Sequence, residues 1–448
     1  MAGSDPRDES AKFRRVASER RRDATEDQRE CTAGQRESTE RERESTAWLR
    51  QRAAERFDAG DHRGAHADYA ALIALDPAPE AFVNRGYCEL MLGDAAAAED
   101  SFGAALSLNP AMAEALVGMG DSAAARDMHE QAVRHYDAAL AARPQFVHAR
   151  NNRAQSRLAL GHLRAALEDA ECRYDAPGAT SLYPHRLDLP RWRGEAGKRV
   201  LVHWEQGYGD MLQFLRYLPS LTRNGIDAVF DGPPPLARLV AHMGGTPQCM
   251  EARHDAPDTA LFDCCVPLLS LPLILGAEWR DVPTPPYVAA DTSAAASLAG
   301  AWGPPTARRV GIVWRASSFD ATRSATLQSM LVLAQPGVQL VSLQTDLRDE
   351  ERSALAALAI PDAGSGFGDF YDTATALAAV DRLITVDTAI AHLAGAMDKP
   401  VWLMLNQPAA TRWMTGREDS PWYPSMRLFR KRNDEAWDAL LVRLLGIS

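Results

Sequence analysis

The chain has little with which to build a disulfide framework or a metal centre. Its 448 residues include six cysteines (Cys31, Cys88, Cys172, Cys249, Cys264, Cys265), with no CxxC pair and no clustering with histidine. Cys264 and Cys265 are adjacent in an apolar stretch, where buried free thiols are expected. No run of about 18 apolar residues occurs, and the charged N-terminus lacks the apolar core of a secretory signal, so the expected location is cytoplasmic. A basic excess is missing too. The net charge of −11 and a pI of about 5.5 provide no global field for nucleic acid or anionic lipid, although a local basic groove remains open. What is present, 46% hydrophobic and 24% charged residues, is the composition of a globular protein. The length calls for roughly three units rather than one core.

Residues 1–47 form a charged, low-complexity tail. Arg15, Arg22, Arg29, Arg36 and Arg43 recur every seven residues, but the positions a coiled coil needs apolar are polar. A disordered segment or a lone charged helix is expected.

Residues 48–178 repeat themselves. Pro77, Pro110 and Pro144 are spaced by 33 and 34 residues; Tyr69, Phe102 and Tyr136 keep the same steps, as do Ala65, Ala98, Ala132 and Ala166. Gly60, Gly93 and Gly161 mark turns between paired helices, with Asp127 in the glycine's place in the third copy. Small residues let two helices approach, the aromatic fills the next layer, and proline ends the second helix. The pattern matches the tetratricopeptide repeat and predicts three repeats plus part of a fourth, stacked as an α-solenoid. Asn84, Arg85, Asn151, Asn152 and Arg153 fall on first-helix positions and are candidates for docking a partner on its concave face, with plain solvation as the alternative.

After a Pro- and Gly-bearing join over 176–197, strands alternate with helices, which predicts an α/β fold of two Rossmann-like halves, 179–297 and 298–448, across a cleft. The first half is expected to hold strands at Arg199–Trp204, Ala228–Phe230 and Thr259–Val266, and helices at Met211–Leu221 and Leu236–Met243. The second is expected to hold strands at Val310–Trp314, Gln339–Leu343, Arg382–Val386 and Val401–Leu405, and a closing helix at Glu435–Leu445.

Two turns carry the chemistry. In Trp204-Glu-Gln-Gly207-Tyr-Gly209-Asp210, two glycines allow a sharp turn and close approach to a ligand, and Asp210 opens a helix. Its carboxylate is either a helix cap or a general base projecting into the cleft. In Leu383-Ile-Thr-Val-Asp387-Thr388-Ala389-Ile-Ala-His392, a buried strand stops at Asp-Thr, and the backbone N–H groups of Thr388 and Ala389 open a helix suited to an anion. His392 lies one turn into that helix, as a cleft residue or an internal hydrogen-bonding one. Trp413, Trp422 and Tyr423 are open to ligand stacking or to core packing. No carboxylate cluster suggests a metal.

From about residue 199 to 448 the chain resembles glycosyltransferase family 9, the heptosyltransferase-like proteins, and in particular members fused to tetratricopeptide repeats. The segments that carry the resemblance are HWEQGYGDMLQFLRYLP (203–219), VGIVW (310–314), VSLQ (341–344), DTAIAHLAGAMDKPVW (387–402) and TRWMTGREDSPWYPSMRLFR (411–430). The resemblance implies a GT-B fold, a nucleotide-sugar co-substrate, no cofactor, and inverting transfer without an obligatory metal. It makes Asp210 the candidate base, sets Asp387 against donor sugar hydroxyls, puts Thr388, Ala389 and His392 near the diphosphate, and has Trp314 and Gln344 border the nucleotide. One stretch departs from the family: the loop 315–324 keeps Arg323-Ser324 but lacks the usual Asn and His. Arg315 or Arg323 would then supply the positive charge that the leaving diphosphate needs; without either, catalysis would be lost.

The expectation is a glycosyltransferase whose repeats dock a protein acceptor, a flagellin-like one among the candidates, with no nucleic-acid partner and no integral membrane association. Two other readings stand beside it. One is a catalytically silent scaffold; the other is a heptosyltransferase acting on lipopolysaccharide, for which no basic amphipathic stretch is found.

Overall fold

A computed structural model describes residues 44–174, 189–205, 207–251, 258–303, 308–316, 321–432 and 435–446. The expectations for residues 1–43 of the tail, 176–188 of the join, Gln206 and 317–320 lie outside the described residues. The chain divides into two compact units. One holds residues up to Arg126 together with Ala138–Pro144; the other holds Asp127–Asp137 and Gln145 onward.

The first unit is a helical repeat array of the tetratricopeptide kind. Helix α1 spans 44–58, followed by α2 (His62–Leu75), α3 (Pro79–Met91), α4 (Ala95–Leu108) and α5 (Ala113–Ala125); α6 (His129–Ala142) crosses the division between units. Asp61 and Asp94 cap α2 and α4, each accepting a hydrogen bond from a first-turn N–H. The turns before them need left-handed backbone, and Gly60 (φ +79°) and Gly93 (φ +85°) provide it. Packing explains the small residues. Phe102 lies between Gly86 and Gly118, where a Cβ atom would stand 2.7 and 2.3 Å from its ring. Arg52 and Arg56 both bind the buried carboxylate of Asp68 on the next helix. Arg85 repeats that step, donating to Ser101 Oγ at 3.0 Å, and Asn84 bonds Tyr69. These two docking candidates are therefore occupied inside the repeat.

The second unit opens with another helix pair, α7 (Val147–Ala159) and α8 (Leu163–Ala170). Arg153 and Arg157 clamp Asp169 here as Arg52 and Arg56 clamp Asp68, so Arg153 is also a structural tie. Asn151 is exposed, and its amide reaches Asn152 at 3.4 Å. The turn residues Asp127 (φ +63°) and Gly161 (φ +81°) are left-handed like their counterparts.

Two all-parallel sheets follow. The first, ordered β3-β2-β1-β4, contains β1 (Arg199–His203), β2 (Asp227–Gly232), β3 (Gln248–Glu251) and β4 (Cys264–Pro267). Its helices are α9 (Tyr208–Phe214), α10 (Leu218–Arg223), α11 (Pro234–Ala241) and α12 (Leu271–Leu275). The single helix expected over Met211–Leu221 is broken into α9, a 3-10 turn at Leu215–Tyr217 and α10, because Pro219 has no N–H to continue the ladder. Strand β4 is shorter than expected because Thr259–Leu261 forms a 3-10 turn capped by Asp258.

Helix α13 (Thr292–Ala301) leads to the second sheet, ordered β6-β5-β7-β8-β9. Its strands are β5 (Arg308–Val313), β6 (Val338–Ser342), β7 (Arg382–Val386), β8 (Val401–Leu405) and β9 (Met426–Arg430). Helices α14 (Leu327–Met330), α15 (Asp349–Ala357), α16 (Phe370–Ala378), α17 (Ala389–Ala396) and α18 (Trp437–Leu445) connect and flank them. Strands β3 and β9 were not anticipated from the sequence. One continuous buried cluster joins the sheets, running from Val200, Leu212 and Phe230 to Leu383, Leu403 and Leu428. Cys264 and Cys265 are buried free thiols.

Candidate functional site

Open parallel sheets bind ligands beyond the carboxyl ends of their strands, where the strand order reverses. That point falls beside β1 in the first sheet and between β5 and β7 in the second. Trp204 and Glu205 follow β1, with Gly207 opening α9, and Asp387-Thr388 follows β7, so both motifs singled out in the sequence occupy switch points.

Gly207, not Asp210, is the N-cap of α9, which leaves the Asp210 carboxylate in the first turn free of capping duty. It meets Arg412 Nη1 at 2.6 Å. Arg412 comes from the turn between β8 and β9. Burial works against its charge, but Asp210 and Asp387 together hold its pKa above the ordinary arginine value. Asp387 is buried and lies 3.5 Å from Arg323 Nη1. A base candidate from the first half, a carboxylate from the second and two arginines therefore make one electrostatic cluster.

Helices α9 and α17 pack directly against each other. A Cβ on Gly209 would lie 3.0 Å from His392 Cδ2 and 3.8 Å from Ala389 Cα, so glycine is what lets the two helix starts approach. The open cleft expected between the halves is closed at this point. His392 is sealed in: its Nδ1 is 3.0 Å from the Tyr423 hydroxyl and its ring stacks on Trp413 at 5.1 Å. Burial, with Arg412, Arg216 and Arg323 nearby, pushes its pKa well below the usual value, so the ring is neutral. Of its two readings, the internal hydrogen-bonding one describes this state. Thr388 caps α17 with extended backbone (φ −140°) and is half-buried. Trp413, Trp422 and Tyr423 are buried in the shared core.

Trp314, Arg315 and Gln344 form a separate, self-contained network. Trp314 is fully buried, and its indole N–H donates to Glu351 at 3.0 Å. Gln344 Oε1 accepts from the backbone N–H groups of Trp314 (3.1 Å) and Arg315 (3.0 Å). The Arg315 guanidinium holds Glu351 at 2.6 Å and Asp346 at 3.2 Å. Burial alone would raise the Glu351 pKa, but bonds from Arg315, the Arg348 N–H and Trp314 bring it to about 2. Arg315 is thus spent on structure, and Arg323 is the loop arginine that reaches Asp387.

Three contributors were missed. Arg412 lies in a segment rich in aromatic residues, with no local pattern to set it apart. Arg216 is buried and held by the Pro283 and Trp422 carbonyls at 3.2 and 3.0 Å, with the Tyr287 and Tyr423 rings about it. Glu205, in the glycine turn itself, is 1% exposed and takes two 2.9 Å bonds from Arg173, at the end of the helical repeats.

Next to this cluster is a cavity of about 370 Å³, with Asp210 and Arg412 among its lining residues. Fold and site together define an α/β protein with two parallel sheets, preceded by tetratricopeptide-type repeats. No family model matches the chain. Over 418 residues it is 27% identical to the protein FlbA of Caulobacter vibrioides, covering 76% of this chain and 68% of that one. Among solved structures it is similar to the crystal structure of MamA (21% identity, 29% of this chain, 77% of that one, TM-score 0.27). It is also similar to the first TPR domain of human RPAP3 (24% identity, 26% of this chain, 93% of that one, TM-score 0.26).

Proposed function

We propose that the chain is an inverting glycosyltransferase that moves a sugar from a nucleotide-activated donor to a hydroxyl group on a protein acceptor. The observation that carries this reading is the Asp210–Arg412 pair, 2.6 Å apart, with Asp387 close enough to share the arginine's field. In the proposed step the Asp210 carboxylate takes the acceptor's hydroxyl proton as that oxygen bonds to the anomeric carbon. The bond from that carbon to the phosphate oxygen breaks, and its electron pair leaves on the nucleotide. Arg412 and Arg323 offer positive charge to the departing phosphate, and the first-turn N–H groups of α17 add to it. Arg412 must exchange Asp210 for phosphate when the donor arrives, which frees the base.

The test is nucleotide release by the purified chain, given a panel of nucleotide-sugars and cell extract as acceptor. Asp210→Asn should lower the rate about 10²- to 10⁴-fold; an unchanged rate would refute the assignment. A scaffold whose transferase half is silent is the second reading, favoured by the closed α9–α17 contact and by the engagement of Arg315 with Glu351. It predicts no release with any donor.

A further inference from the structure

Within the second unit, α8 carries Leu163, Ala166, Leu167 and Ala170 at i, i+3, i+4 and i+7, which is one apolar stripe. Such a face at the end of a repeat array has to be covered. Here α8 packs on α12, and α7 packs on the turn Thr411–Trp413, but the cover is incomplete and the 370 Å³ cavity remains beneath it. That volume is in the lower range of ligand pockets. Ala154, Ala166 and Ala170 make the space on the repeat side; Phe214 and Trp422 wall it on the α/β side.

Every charge at the cavity is matched. Arg173 is held by Glu205, with Nε and Nη2 each 2.9 Å from the carboxylate, and Asp210 by Arg412. The apolar part of the lining, from Ala154, Leu158, Ala166, Ala170, Phe214 and Trp422, suits uncharged side chains, while Asp210 and Arg412 remain for the hydroxyl and the donor phosphate. Near the rim the exposed Gln155 accepts a 2.7 Å bond from the Thr411 hydroxyl. Both groups are able to exchange that bond for the amides of an extended chain.

We infer that the cavity is a peptide subsite: it takes the apolar side chains flanking a serine or threonine and presents that hydroxyl to Asp210. The role of the hydroxyl rests on the transferase reading above, whereas the peptide binding can be measured without a donor.

Fluorescein-labelled nonapeptides with a central threonine, flanked on both sides by valine, leucine, glycine or aspartate, would be titrated against the full chain by fluorescence anisotropy. The valine-flanked peptide should bind at least about tenfold more tightly than the aspartate-flanked one, with glycine between. Ala170→Leu, at a half-buried lining position, should erase the valine preference. Leu158→Ala, which enlarges the cavity, should shift the preference to leucine flanks; a misfolded chain gives no such switch. Equal affinity for all flanks, or an unaltered valine preference in Ala170→Leu, overturns the subsite. If nucleotide release fails while the flank preference and its switch hold, transfer falls and the peptide subsite stands. If release succeeds with equal peptide affinities, the subsite falls and transfer stands.

Discussion

Replacing Arg173 by methionine tests how the end of the repeats is tied to the glycine turn. Glu205, two residues before Gly207, is 1% exposed and accepts from Arg173 Nε and Nη2 (both 2.9 Å), the Tyr174 hydroxyl (2.7 Å) and the Leu269 N–H (3.0 Å). Methionine fills most of the arginine's volume but leaves a buried carboxylate without its counter-ion. Breaking such a pair costs about 3–5 kcal/mol, a large part of a typical total of roughly 5–15. The pH dependence gives a second readout. In the native chain burial alone would raise the Glu205 pKa, but Arg173 and Tyr174 bring it below the usual 4.5. The pair's stabilisation is therefore present above pH 4.5 and is lost as pH falls through the depressed folded value. In Arg173→Met burial dominates and the folded pKa rises above 4.5, so the penalty is largest at neutral pH and eases on acidification. Urea unfolding followed by circular dichroism should show a deficit of about 3–5 kcal/mol at pH 7 that shrinks toward pH 4.5. Adding Glu205→Gln should recover most of it at pH 7. A deficit under about 1 kcal/mol that is flat with pH would refute the reasoning.

Two further outcomes follow from glycine contacts. Gly118→Ala puts a Cβ 2.3 Å from the Phe102 ring. Overpacking of about 1–3 kcal/mol should exceed the roughly 1 kcal/mol gained in helix propensity, giving net destabilisation in chemical unfolding that Phe102→Leu partly relieves. Gly209→Val wedges branched carbons against buried His392, where even a Cβ stands at 3.0 Å. The melting temperature should fall by several degrees, and nucleotide release should fall with it as α9 lifts and parts Asp210 from Arg412.

The repeats were legible because their constraints are local. A left-handed turn needs glycine or a substitute such as Asp127, and the alanines, aromatics and prolines recur at fixed steps of 33 or 34 residues. Strands β7 and β8 could be bounded to the residue because buried parallel strands read as apolar runs with sharp ends. What the sequence does not show is long-range. Arg85 and Arg153 looked like a docking surface because their partners, Ser101 and Asp169, lie sixteen residues on, on the facing helix. Arg315 looked like a phosphate ligand until Glu351, 36 residues away, was found to hold it. Arg412 went unnoticed because its partner Asp210 is about two hundred residues earlier, and nothing in the local pattern of Thr-Arg-Trp separates a site cation from a surface one. The same applies to Glu205, which reads as an ordinary loop carboxylate until Arg173 folds onto it. Strands β3 and β9 escape the sequence reading because each carries polar or charged residues among the apolar ones.

Whether Arg412 serves both Asp210 and a donor phosphate is measured by calorimetric binding of nucleoside mono- and diphosphates to the wild-type chain and to Arg412→Met. At least one nucleotide should bind the wild type, and its affinity should fall about tenfold to a hundredfold in the variant, as expected for removal of a charge-assisted phosphate contact. Equal affinity in the two proteins, or no binding of any nucleotide to the wild type, would contradict that dual role.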